Sequence, residues 1–168
     1  MRRLAIPVLV TAFAVVLPTA GAAPRTSQQL VGPPASIVQY GYVRTLTRTG
    51  TTYRLRFDPA LWLTGSTAQR AAVEDGVLEP GEPVPNDYYI RNESTKQLTY
   101  VQPRTARVTV VTTSPAGLQR STRITVAELA ALTKGRNPRG LKLYGRNLGY
   151  WARIVGDRVV ALDQQYQP

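Results

Sequence analysis

Thr52-Tyr53-Arg54-Leu55-Arg56-Phe57 alternates without a break: Tyr53, Leu55 and Phe57 fall on one face, Thr52, Arg54 and Arg56 on the other. Successive side chains of a strand point to opposite sides, so a strict period of two predicts a strand with one dry face and one wet face. The Val-, Tyr- and Thr-rich stretch 37–47 precedes it across Thr49-Gly50, which predicts a hairpin that Asp58-Pro59 ends. Working outward, residues 87–91, 98–102 and 107–112 read as short strands with turn residues between them, and 121–125 as a further candidate. Residues 150–155 and 158–162 flank Gly156-Asp157 and read as a closing hairpin. The apolar patch Leu61-Trp62-Leu63 leads to Ser66, whose spacing to Gln69 predicts a capping box for a short helix stopped at Gly76. Ala68, Ala71 and Ala72 share one face of that helix, so it can approach a sheet closely. Thr125 and Glu128 predict a second capping box, opening a helix with Val126, Leu129, Ala130 and Leu132 that Gly135 ends. Pro80, Pro83 and Pro85 keep 79–85 out of regular structure. The expectation is a mainly β (β-rich α+β) domain: a small antiparallel barrel or half-open sheet of about seven strands with two short helices.

The N-terminus predicts export. Arg2 and Arg3 give a positive start, residues 4–17 are uncharged and apolar apart from Thr11, and Ala20-Gly21-Ala22 offers the small residues a signal peptidase requires. That core of 14 residues falls short of the roughly 20 apolar residues of a membrane-spanning helix. Cleavage is expected after Ala22, followed by a flexible leader over 23–35 containing Gly32-Pro33-Pro34 and a single β-rich domain over 36–168, with no transmembrane segment. The expected location is secreted or cell-wall associated.

Composition narrows the chemistry. Cysteine and histidine are both absent, which removes disulfides, Ser-His-Asp and Cys-His mechanisms, and zinc sites of the usual ligand sets. Oxygen-ligand metals such as calcium stay open, while no cofactor is expected and no residue is assigned to a metal. Past Ala22 the chain holds 19 Lys and Arg against 10 Asp and Glu, a net charge of +9. Residues 23–95 carry seven arginines and seven acids, whereas 96–168 carry twelve cations and only Glu128, Asp157 and Asp163. Such asymmetry favours a polyanionic partner or surface. The alternative is compositional, since 18 of the 21 cations are arginine.

With Phe57-Asp58-Pro59-Ala60-Leu61-Trp62-Leu63-Thr64-Gly65, the alanine helix ending Glu74-Asp75-Gly76, and Pro85-Asn86-Asp87-Tyr88-Tyr89-Ile90-Arg91-Asn92, most of the chain after Ala22 resembles a group of exported actinobacterial proteins. The resemblance implies a compact exported domain in or beyond the cell wall. It carries over no activity, ligand or catalytic residue.

Residues 134–146 hold five cations and no acid. Lys134, Arg136, Arg139, Lys142 and Arg146, with Tyr144, are the candidate polyanion-binding residues. Glycine lets backbone N–H groups approach an anion, arginine forks match phosphate or carboxylate, and aromatic faces stack on bases or sugar rings. An anionic cell-wall or extracellular polymer is the expected partner; the competing reading is a solvated loop with Tyr150 and Trp151 in the core. A second cluster, Glu74, Asp75, Glu79, Glu82, Asn86 and Asp87, offers hard oxygen ligands for calcium, but its spacing departs from the EF-hand loop. Solvent-facing turn residues explain it more simply, and neutralisation of the basic half of the same molecule or of a neighbouring copy explains it at least as well. For catalysis, Glu74 with Asp75 and Glu128 with Asp163 are the pairs a carboxylate-dependent hydrolase would use, and Ser94-Thr95-Lys96 offers a nucleophile only if Lys96 is buried. No spacing places either pair across a cleft, so no catalytic residue is assigned. The expected function is a secreted non-catalytic binding module; the alternatives are a small carboxylate-dependent hydrolase and a structural or protein-partner module of the envelope.

Overall fold

A computed structural model describes residues 35–168, so the predicted export signal, the predicted cleavage site after Ala22 and all of the predicted leader except Ala35 lie outside the described residues. The predicted hairpin comprises β1 (Ser36–Thr49) and β2 (Thr52–Pro59), paired antiparallel from Thr49–Thr52 to Gly41–Pro59. Tyr53, Leu55 and Phe57 are buried while Arg54 and Arg56 are exposed, as the alternation requires. Asp58-Pro59 ends the strand as predicted, forming the last two positions of the ladder opposite Tyr42 and Gly41. Gly41 is required there, because an added Cβ would overlap the Asp58 carbonyl oxygen and stand 2.8 Å from the Phe57 ring. Val43 and Leu46 both pack in the core although three residues separate them. A β-bulge between Val43 and Thr45 makes this possible: Arg44 is the extra residue, and the pleat restarts beyond it.

The apolar patch proves to be a strand, β3 (Leu61–Thr64), which turns directly into α1 (Gly65–Glu74). The predicted Ser66–Gln69 capping box does not form. The helix begins two residues earlier, with Thr64 as N-cap and no side-chain cap bond. Gln69 serves the proline loop instead, donating to the Glu82 carbonyl oxygen and accepting from the Val84 amide. Ala68, Ala71 and Ala72 are buried, as their shared face predicts. After a short 3-10 turn at Pro85–Asp87, β4 (Tyr88–Arg91) pairs with β3 as a separate two-stranded sheet.

The remaining strands are β5 (Leu98–Pro103), β6 (Arg107–Thr113) and β7 (Gln119–Ile124); α2 (Val126–Leu132) follows, then β8 (Tyr150–Val155) and β9 (Arg158–Gln164). Seven strands form one sheet in the order β5-β2-β1-β8-β9-β6-β7. β5 also returns to β9 at Val101–Arg158, so the pairings β5-β2-β1-β8-β9 close into a ring. β6 pairs with β9 further along, from Arg107–Ala161 to Thr109–Asp163, leaving β6 and β7 as an extension. The mainly β expectation holds; pairing is antiparallel except where β5 and β6 meet β9. Leu46, Leu55, Phe57, Val108, Val110, Ile154 and Leu162 meet inside, with Val126 and Leu129 of α2 against them. Among the described residues no helix is long and apolar enough to cross a membrane.

Candidate functional site

The 134–146 segment begins where α2 ends. Thr125 caps that helix in a complete capping box: its Oγ1 accepts from the Glu128 amide at 3.1 Å, and Glu128 accepts from the Thr125 amide at 2.6 Å. Gly135, in the left-handed region, terminates it. The segment is then stitched to β6. The Thr113 amide donates to the Lys142 carbonyl oxygen at 2.8 Å, and the Tyr144 amide to that of Val111 at 3.0 Å. Asn137 closes the intervening turn, donating to the Leu141 carbonyl oxygen and accepting from the Leu141 amide. Leu141 and Leu143 pack on the core, so this is an irregular strap anchored to β6 that leaves its cations exposed.

Thr112 of β6 is paired with Arg120 of β7 on one side and bridged to Leu143 on the other. That arrangement brings Arg120 beside Lys142 although 22 residues separate them in sequence. A cavity of about 470 Å3 results, lined by Arg120, Arg139 and Lys142 together with Thr112, Thr122 and Gly140, and no acidic residue lines it. Arg139 is tethered, donating to the Arg123 carbonyl oxygen at 3.1 Å and lying 3.4 Å from Glu128. Burial pushes the Glu128 carboxyl up, but the Thr125 amide and hydroxyl and the Arg139 guanidinium outweigh it and hold the group below its ordinary value. Arg120 and Lys142 have no carboxylate within ion-pair distance among the described residues. The cavity therefore carries uncompensated positive charge beside threonine hydroxyls.

The structure divides the other predicted residues. Arg146 lines a different cavity, between β1 and α2. Lys134 and Arg136 are exposed beyond the end of α2 and line neither cavity. Tyr144 is not free to stack on a ligand face, because its ring packs against Tyr166 and its hydroxyl donates to the Gln167 carbonyl oxygen. Tyr150 is buried; Trp151, half-buried, packs against Tyr40 and Trp62. Arg120 is the residue that reading along the chain misses. Its only local signal is its place with Arg123 on the exposed part of β7, and the pairing that makes it useful is non-local.

The acidic cluster has other employment. Arg91 reaches Asp75 at 2.7 Å and Glu74 at 3.0 Å, and the Arg91 guanidinium holds the Asp75 carboxyl below the usual carboxylate range. Glu82 accepts from the Glu79 amide. Glu128 caps α2, whereas Asp163 on β9 pairs with Arg107 and accepts from Thr109 on β6, so each carboxylate of that pair is engaged in a different part of the fold. Lys96 is exposed, which removes the buried lysine that Ser94 would require. Compared with known proteins, the chain matches no family model, no curated protein and no solved structure.

Proposed function

We propose that this is an exported, non-catalytic binding module that engages an anionic polymer of the cell envelope through the face formed by β6, β7 and the 134–146 strap. One observation carries the reading: Arg120, Arg139 and Lys142 converge on a cavity with no acid in its lining. Guanidinium forks and an ammonium group suit phosphate, sulfate or carboxylate oxygens, and the Thr112 and Thr122 hydroxyls beside them can supply further hydrogen bonds. Lys134 and Arg136, exposed at the neighbouring helix end, extend the positive surface along which a polymer would lie. Export supports an envelope polymer over intracellular nucleic acid.

Heparin and purified wall polymer are the probes. Arg120→Gln with Lys142→Gln leaves every observed ion pair intact, so folding should be unchanged. Binding should weaken, and the slope of log affinity against log salt should shrink by roughly 1.5 to 2, because about two counterions fewer are released. Salt-independent binding, or a double variant that binds like its parent, overturns the reading.

A protein partner is the second reading, favoured by a different place. Val38 and Leu61 are 55% and 58% exposed and line a cleft of about 460 Å3 with Trp62 and Trp151. If the charge variant binds polymer like its parent while Leu61→Lys abolishes association with an envelope protein, the function lies at this cleft.

A further inference from the structure

The cavity that takes Arg146 has its own construction. It encloses about 350 Å3 where β1 passes α2 and the 143–148 stretch. Val110, Leu129, Leu132 and Leu148 contribute apolar wall. Its volume lies at the small end of the ~300–1,000 Å3 of small-molecule sites. Two guanidinium groups border it and no carboxylate lines it.

The charges decide what fits. Arg44, displaced by the bulge in β1, donates through Nε to Asp58 Oδ2 at 2.9 Å and lies 5.3 Å from the centre of the Tyr42 ring. Its charge is matched by a carboxylate that is 5% exposed. Arg146 has no carboxylate within ion-pair distance among the described residues. The cavity thus has one unmatched positive charge.

The polar groups in the wall are not equivalent. Gln164 is engaged at both ends of its amide, accepting from the Val111 amide at 2.7 Å and donating to the Gly145 carbonyl oxygen at 3.1 Å. Tyr150 is 6% exposed and its hydroxyl has no hydrogen-bond partner among the described residues. The hydroxyl is not among the buried side-chain atoms that lack a partner, so it opens to the cavity that Tyr150 lines and is a ready donor for a ligand that enters. Burial pushes the Tyr150 phenol up, so it stays protonated at neutral pH.

We infer that this cavity is a second ligand site, for a small amphipathic monoanion: a carboxylate on a compact apolar body, its head received by Arg146 and the Tyr150 hydroxyl and its body by the aliphatic wall. The inference does not depend on the polymer reading, since the two cavities share none of the residues on which either rests. A ligand bearing two charges would leave one unmatched, and an uncharged one would forgo the charge-assisted bond to Arg146.

Isothermal titration of the chain lacking its export signal, with octanoate and phenylacetate as probes and octan-1-ol and acetate as controls, tests this. Both probes should bind more tightly than either control. Arg146→Gln should weaken the probes about tenfold, the loss expected for one charge-assisted bond, without altering the response to octan-1-ol. Tyr150→Phe should weaken them severalfold while the melting midpoint holds, an outcome a purely structural tyrosine would not give. Leu132→Trp should fill the cavity and abolish binding. The polymer-deficient Arg120→Gln, Lys142→Gln double variant should bind the probes like the parent, which separates failure here from failure of the polymer site. The inference is overturned if neither probe binds at about 5 mM, weaker than any useful small-molecule site, or if Arg146→Gln binds octanoate unchanged.

Discussion

Gln102 is fully buried on β5, and neither its amide nitrogen nor its carbonyl oxygen meets a hydrogen-bond partner among the described residues. Its neighbour across the ladder, Tyr53, is buried as well. An unpaired amide in the interior costs about 1–3 kcal/mol, while an apolar side chain of similar shape carries no such penalty. Gln102→Met should therefore raise stability by about 1 kcal/mol in chemical denaturation; a loss of that size would show that the amide makes bonds worth keeping. The inward direction of this residue was legible, since Leu98, Tyr100 and Gln102 follow a period of two. Its lack of a partner was not, because satisfaction depends on what neighbouring strands present to it. Arg44 makes the same point in reverse: reading 37–47 as a regular strand hides the bulge that aligns this arginine with Asp58.

Two similar strings predict capping boxes, and one forms. Thr125 and Glu128 stand at a clean strand-to-helix boundary after β7, and their reciprocal bonds satisfy helix amides that have no partner within the helix. Ser66 and Gln69 have the same spacing, but β3 runs straight into α1, the helix starts before Ser66, and the proline loop claims the Gln69 amide. Thr125→Ala should thus cost about 1 kcal/mol in thermal or chemical unfolding, whereas Ser66→Ala should stay within about 0.5 kcal/mol. Equal losses in the two variants would contradict the assignment of caps. The same box predicts a pH response. Glu128 is held below its ordinary value of 4.5, so its contribution is present above that pH and disappears as pH falls through the lowered folded value.

At the scale of the whole molecule, the interior resists ionisation at the alkaline end. Burial raises the phenols of Tyr40 and Tyr150 above their ordinary value of 10.0. A group raised on folding contributes stability below its unfolded value and loses it as pH climbs towards the folded one. Stability should therefore decline from about pH 10 upward, with these two tyrosines ionising only as the sheet unfolds. Tyrosinate absorbance and circular dichroism recorded together check this: all nine tyrosines titrating near pH 10 with the fold intact would refute it. Buried aromatic packing is part of the cause, because Tyr40 lies against Trp62 and Trp151 where the small sheet β3–β4 meets the large one.

Sequence alone determined the local vocabulary of this protein: the period-two strand at β2, the β8–β9 hairpin at Gly156-Asp157, the Thr125 cap, the alanine face of α1, and the concentration of positive charge after residue 95. Each is written within a few residues, because pleat, turn and cap are short-range constraints. Only the tertiary structure decided which distant residues meet. The β6–β7 ladder and the strap beside β6 join Arg120 to Lys142, the return of β5 to β9 closes the ring, and the bulge in β1 aligns Arg44 with Asp58. The physical reason is that strand pairing links backbones remote along the chain, and its register is set by the burial of a shared core and not by any nearby residue.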